Sequence, residues 1–394
     1  MALSKIDVAN MLTGATPVAN GGTAATTLAA AGLGKRPNAK PLIVNGSMDV
    51  SQRATSVTGL TNGSDVYVAL DRFGFNEFGS PSSQHTMTQE SLTSGNAYIN
   101  GFANALKMDV TTAQGSLDAD DATMIIYKFE GQDLQLFKKG TANAEKFTLA
   151  FWVKSTKTGT HVVELFDKDN TRHVSGTYSI STTNTWEHKV VVFPADTTGV
   201  FGDDNARSLD VNWFLSAGTD YTSGTLQTSW GGQANTTRAA GQVNTVDNTS
   251  NNWHITGVQL EVGEFTSSTL PPFQHESFGD NLARCQRYYY QVTGTGKGRF
   301  TNGNFFDEND GDVMVPFPCK MRAAYSLSSS AVGDIIITSV SAEADCTAIA
   351  LDTSLSLDAA DVRFTVGSNI ATVGHVSTMI LKDSGSYLAF DAEL

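Results

Sequence analysis

The chain has 394 residues, enough for two or three domains. Its 26 Lys and Arg stand against 40 Asp and Glu, and a net charge of −14 disfavours nucleic acid and anionic lipid as partners. No run approaches a membrane span, and Cys285, Cys319 and Cys346 share no CxxC spacing, which argues against a disulfide scaffold or zinc knuckle and for assembly in a reducing compartment.

The N-terminus MALSKIDVANM lacks the basic and apolar regions of a signal peptide. Ser4 and Asp7 form a capping pattern, and Leu3, Ile6, Met11 and Leu12 give one apolar face of a short helix that is marginal alone. The tract VANGGTAATTLAAAGLG, residues 18–34, follows with nothing large enough to pack. Small residues such as Gly21, Gly22 and Thr23 let backbones approach closely, so residues 1–41 are expected to be an arm ordered by neighbouring copies or a larger assembly.

From Leu42 the character changes. LIVNGSMDV, KFTLAFWVKS, TWEHKVVVF, LDVNWFL and WHITGVQLEVG are short, rich in β-branched and aromatic residues, and separated by Gly, Asn, Asp and Ser. LFDKDNTRHV predicts a hairpin. No comparably long helical period intervenes, so residues 42–272 are expected to form an antiparallel β-sandwich, with residues 217–252 as a polar, loop-rich excess. After Pro271 and Pro272, Ser277 and Asp280 offer a second cap. Phe278, Leu282 and Cys285 then form a stripe expected to bury, with Arg284 and Arg287 directed elsewhere. The period switches to two at Tyr288, so residues 273–292 are a helical connector feeding a first strand, and 293–394 a second, smaller β-sandwich. The architecture is all-β.

Two sets of residues resemble a known family. NGGT at 20–23 and the Ala/Thr tract after it are similar to the Gly-Gly-Thr segment of phage tail-fibre and related virion proteins. PLIVNGSMDVSQRATS, ALDRF, HITGVQLEVGE and PPFQHESFGDNLARCQRYYYQ resemble the carbohydrate-binding-type jelly roll and connector of phage structural proteins. The resemblance implies a virion protein assembled in the host cytoplasm, a homotrimer, and contacts with tail, collar or capsid proteins. It also implies attachment to a host-surface glycan without cleavage. A head fibre, decoration protein or docking adaptor is the alternative, and a glycan depolymerase a third. Modules of this kind often hold a structural calcium, for which no ligands can be assigned here; no other cofactor is expected.

The residues themselves offer little catalytic chemistry. Alternation puts Glu187 and His188 on opposite faces. DKDN at 167–170 begins like a calcium loop but has Arg172 where Gly is needed and Tyr178 where Glu is needed. TGTGKGRF at 293–300 lacks phosphate-loop spacing and predicts a hairpin turn. Sugar recognition calls for an aromatic face with amides and charges around it. Trp152, Trp186, Trp213 and Trp253 lie in strand patterns expected in the core, as do Phe73, Phe75 and Phe78. Trp230 sits in the polar segment LQTSWGGQANTTR with Tyr221 and Arg238 nearby. It either receives a sugar or packs beneath its own loop or at a subunit interface.

Overall fold

The computed structural model describes residues 40–394 except 62, 64, 65, 341 and 353–355. The arm residues Leu3, Ile6, Met11, Leu12, Gly21, Gly22 and Thr23 lie outside the described residues. The first unit is built from β1 (Ser56–Leu60), β2 (Phe73–Phe78), β3 (Gln84–Ser91), β4 (Asn104–Thr112), β5 (Ala122–Glu130), β6 (Phe147–Ser155), β7 (Gly159–Asp167), β8 (Arg172–Ile180), β9 (Glu187–Phe193), β10 (Arg207–Ala217), β11 (Gly231–Gly232) and β12 (Asn252–Val262). They form two facing six-stranded sheets, β1-β3-β4-β12-β6-β9 and β11-β8-β7-β10-β5-β2, a jelly-roll sandwich in which neighbouring strands run antiparallel. The 165–174 hairpin forms as β7 and β8, with Asp167 opposite Arg172.

Strand alternation explains both faces of the second sheet. On β10, Leu209, Val211, Trp213 and Leu215 join the central core, and on β7 so do Val163 and Leu165. The intervening residues, Asp210, Asn212 and Phe214 on β10 and Glu164 and Phe166 on β7, turn away from that core yet are buried too. Their cover is the polar segment after β10. Its helix α2 (Thr219–Thr222) brings Tyr221, and Ala239 follows, onto Ala122, Met124, Val162 and Phe214. The other short helix, α1 (Gly95–Ile99), lies between β3 and β4.

Helix α3 (Phe278–Gln286) begins where Ser277 Oγ accepts from Asp280 N at 3.2 Å, as its capping pattern predicts. Cys285 is buried with Val44 and Val50, and Leu282 packs against them. Phe278 corrects the expectation: at the first position of the helix it is 61% exposed, and the deeper residue is the polar Asn281. Asn281 Oδ1 accepts from Asn45 N at 3.0 Å. Asn45 and Met48 both adopt left-handed backbone, and the glycine between them has a specific reason. A Cβ at Gly46 would lie 2.2 Å from the carbonyl oxygen of Val258, whose own N–H donates to Gly46 O at 2.9 Å.

The second unit comprises β13 (Tyr289–Thr293), β14 (Gly298–Phe305), β15 (Asp310–Pro316), β16 (Ser326–Ser329), β17 (Ile335–Thr338), β18 (Glu343–Leu351), β19 (Ala359–Val366), β20 (Val376–Leu381) and β21 (Tyr387–Asp391). Six of these strands, β14-β15-β19-β18-β17-β20, close into a barrel, and β13-β21-β16 form a small sheet beside it. The second unit is all-β as expected, but where a smaller sandwich was expected its main sheet closes on itself, which leaves that sheet no open edges. Residues 293–300 are a crossing and not a hairpin turn, because β13 pairs with β21 while β14 pairs with β15 and β20.

The two units meet at a polar joint. The carboxylate of fully buried Glu130 accepts from Arg287 Nε at 2.9 Å, Arg287 Nη2 at 2.7 Å and the Tyr288 hydroxyl at 2.6 Å. Arg72 lies 3.5 Å from the Tyr288 ring centroid and pairs with Glu393. Arg53 lies 3.6 Å from the Tyr289 ring and pairs with Asp391 at 2.9 Å. Residues from NGSMDVSQR, ALDRF and CQRYYYQ thus converge on one place, and that place is structural.

Candidate functional site

The buried polar row on the outer face of the second sheet is the floor of a cleft of about 210 Å³. Register builds it: Asn212 on β10 lies opposite Glu164 on β7 and Ile126 on β5, and Asp210 lies opposite Phe166 on β7. Asn76 and Phe78 on β2, Lys168 and Arg207 at strand ends, and Gln233 and Arg238 from the covering segment complete the lining.

Arg238 ties roof to floor. Its Nε and Nη2 each donate to Glu164 at 2.7 Å, and Asn212 Nδ2 donates to the same carboxylate at 2.8 Å. The guanidinium also lies 5.3 Å from the ring centroid of Phe78 and 5.2 Å from that of Phe166. Burial pushes the Glu164 carboxyl up, but Arg238 and His173 more than offset it and hold it at about 2. Glu164 is thus fixed as an anion. Arg207 grips Asp210 in the same bidentate way, at 2.6 and 2.7 Å, although burial still raises the Asp210 carboxyl above its ordinary value.

Two groups on this surface have capacity left for a ligand. Asn212 is buried, yet its Oδ1 accepts no hydrogen bond among the described residues. A buried acceptor without a partner is costly unless something fills the role. Lys168 is exposed and makes no ion pair among the described residues; its Nζ lies 5.6 Å from the Phe166 ring centroid.

The sequence-predicted residues divide. Arg238 lines the cleft, and Tyr221 sits beside it, stacked on Phe78 with ring centroids 5.7 Å apart. Trp230 belongs elsewhere: it packs against the central core beside Phe147, and its Nε1 donates to Pro194 O at 2.8 Å. Its amphipathic ring is satisfied beneath its own loop. Phe73 and Phe75 line the core as expected, whereas Phe78 turns outward to the cleft. Sequence reasoning missed Glu164, Asn76, Asn212 and Asp210. Their signal was parity, since each is a polar residue at a position that alternates with core residues of its strand.

A depression of about 390 Å³ on the other sheet is lined by Trp152, His188, Phe102 and Phe273. Its buried amide, Gln259, already donates to Pro271 O at 3.1 Å. No group of three or more His, Cys, Asp or Glu suited to a metal occurs among the described residues. Asp167, at the start of DKDN, is committed to the ammonium of buried Lys139 at 2.5 Å, which also contacts Asp196 at 3.1 Å. The residues present therefore do not fit a calcium loop there.

No protein-family model and no curated protein matches the chain. Among solved structures it is similar to a putative sugar binding protein from Bacteroides thetaiotaomicron, at 13% identity over 57% of this chain and 100% of that one, TM-score 0.30. It is also similar to a family 11 carbohydrate-binding module of a Clostridium thermocellum cellulosomal cellulase, at 10% identity over 53% and 96%, TM-score 0.27. A third similarity is to the enzymatically active domain of bacteriophage CBA120 tailspike protein 4, at 13% identity, TM-score 0.27, over 52% of this chain but only 21% of that one. Likeness at this level identifies no function, and the functional reading rests on the cleft.

Proposed function

We propose that the sandwich binds a glycan in the cleft on its second sheet without cleaving it. The observation that carries this is the Oδ1 of Asn212, unpartnered among the described residues, in a cleft lined also by Arg238 and the half-buried Phe78. A sugar supplies what is missing: hydroxyl donors for the amide oxygen and an apolar ring face for the aromatic wall. Binding without hydrolysis is supported by Glu164, because a carboxyl held at about 2 is a poor general acid near neutral pH.

The sequence resemblance extends the proposal to a virion-surface attachment protein, trimeric through residues 1–41. A glycan array with the full chain is expected to give saturable binding that Asn212→Ser weakens, with no reducing ends released from any bound polysaccharide. Release of reducing sugar would replace binding with hydrolysis, and an array without binders would end the glycan reading. Light scattering should report a trimer, and removal of residues 1–40 should abolish it while both β units stay folded. A monodisperse monomer before truncation would refute the role given to the arm.

A further inference from the structure

The cleft's charge is opposite to that of the chain. Overall the protein carries −14, yet the lining contributes Lys168, Arg207 and Arg238 against Asp210, with Glu164 in the floor. Arg238 and Glu164 cancel as a bidentate pair, and so do Arg207 and Asp210. What remains is the ammonium of Lys168, which is exposed and forms no ion pair among the described residues, although Asp210 feels its charge. Its backbone is fixed, because Lys168 N donates to Ser208 O at 2.9 Å, so the cation stands at a defined end of the cleft.

The opposite end has the other polarity. Tyr221, packed there against Ala122, Val162 and Phe214, feels the charges of Asp120, Asp121 and Asp220. An anionic group is repelled from that end and attracted to the Lys168 end. Between them lie the amides of Asn76 and Asn212, suited to neutral hydroxyls.

Resting on the glycan-binding reading above, we propose that the ligand is a saccharide bearing a carboxylate, a uronic or ulosonic acid, seated with that carboxylate at Lys168 and its hydroxyls over Asn212. Partly exposed ion pairs contribute little when both partners are mobile. Here the ligand is already oriented by the amides and aromatic wall, so one charge-assisted hydrogen bond can decide between an acid and its neutral analogue.

The test uses the full chain and calorimetric titration. The probes are uronate and sialate oligosaccharides, each beside the same oligosaccharide with its carboxylates reduced to alcohols, plus neutral gluco- and galacto-oligosaccharides. At least one acid should bind about tenfold or more tighter than its reduced form, the scale of one hydrogen bond to a charged group. Lys168→Gln should erase that preference, bringing acid and reduced form to equal affinity, and Lys168→Arg should restore most of it. Added salt should weaken only the acid. Equal binding of acid and reduced form, or a preference that survives Lys168→Gln, overturns the acidic-ligand inference and leaves the glycan reading standing. Binding that survives Asn212→Ser as well removes the ligand from this cleft, and no binding to any probe overturns both.

Discussion

Glu130 is the best place to perturb the joint between the two β units. Its carboxylate holds three donors from the connector: two N–H groups of Arg287 and the Tyr288 hydroxyl. In Glu130→Ala the Tyr288 hydroxyl loses this partner in a buried site, at a cost of about 1–3 kcal/mol. The two charge-assisted bonds would count for more, but the Arg287 side chain is 31% exposed and can be rehydrated. We therefore expect a loss of about 3 kcal/mol, below the upper range for breaking a fully buried pair. For a unit of this size that lowers the melting midpoint by roughly 6–12 °C in calorimetry. Small-angle scattering should broaden at the same time, since the connector loses its grip on the sandwich. The control is Lys146→Ala, whose pair with Glu264 is exposed at 45% and 59% and should change stability by no more than about 0.5 kcal/mol. If Glu130→Ala behaves like Lys146→Ala in both assays, the joint is not what orients the units.

Leu282→Asp should destabilise the protein by driving a charge against the Val44–Val50–Cys285 cluster, whereas Phe278→Asp should leave calorimetry unchanged, because Phe278 is 61% exposed. Gly46→Ala should cost more than about 1 kcal/mol in urea unfolding, since its Cβ would meet a backbone oxygen that cannot rotate away. His85 and His161 are buried, and burial pushes both down to about 4; their stabilisation is full above pH 6.5 and lost as pH falls from 6.5 to 4. Asp71, raised to about 6 by burial, acts the other way, contributing most below pH 3.8 and losing its contribution as pH rises through 6. The net expectation is a fall of about 2–3 kcal/mol between pH 7 and pH 5, which urea titrations at the two values would test, a flat profile counting against it.

The fold class was legible because strand residues and turn residues alternate so regularly along the chain. Trp213 and Trp253 could be placed in the core from strand patterning, since a fully buried aromatic needs an apolar strand on either side. The cleft was harder to see. Tyr221 and Arg238 stand out in a polar segment, but their partners Phe78 and Glu164 lie in strands dozens of residues away, and only the register of β2, β5, β10 and β7 brings them together. Trp230 misled for the opposite reason: its neighbours in sequence are polar, while its neighbours in space are Phe147 and the carbonyl of Pro194. Closure of the β14–β20 barrel was equally hidden, because no local pattern states which strand meets which.

The bond from Arg238 to Glu164 has a consequence for how this protein can be changed. The segment after β10 resembles an exchangeable cover, and grafting a different one would be an obvious way to alter what the cleft accepts. Yet Glu164 is fully buried, and its charge is answered chiefly from that cover. A graft without a guanidinium at the position of Arg238 would strand an anion in the sheet, a defect worth several kcal/mol. New covers must therefore arrive with their own arginine, or the strand beneath must lose its glutamate in the same step. Specificity and stability are inherited here as a linked pair, and a library that varies the loop while keeping Arg238 fixed will contain far more folded members than one that varies every position.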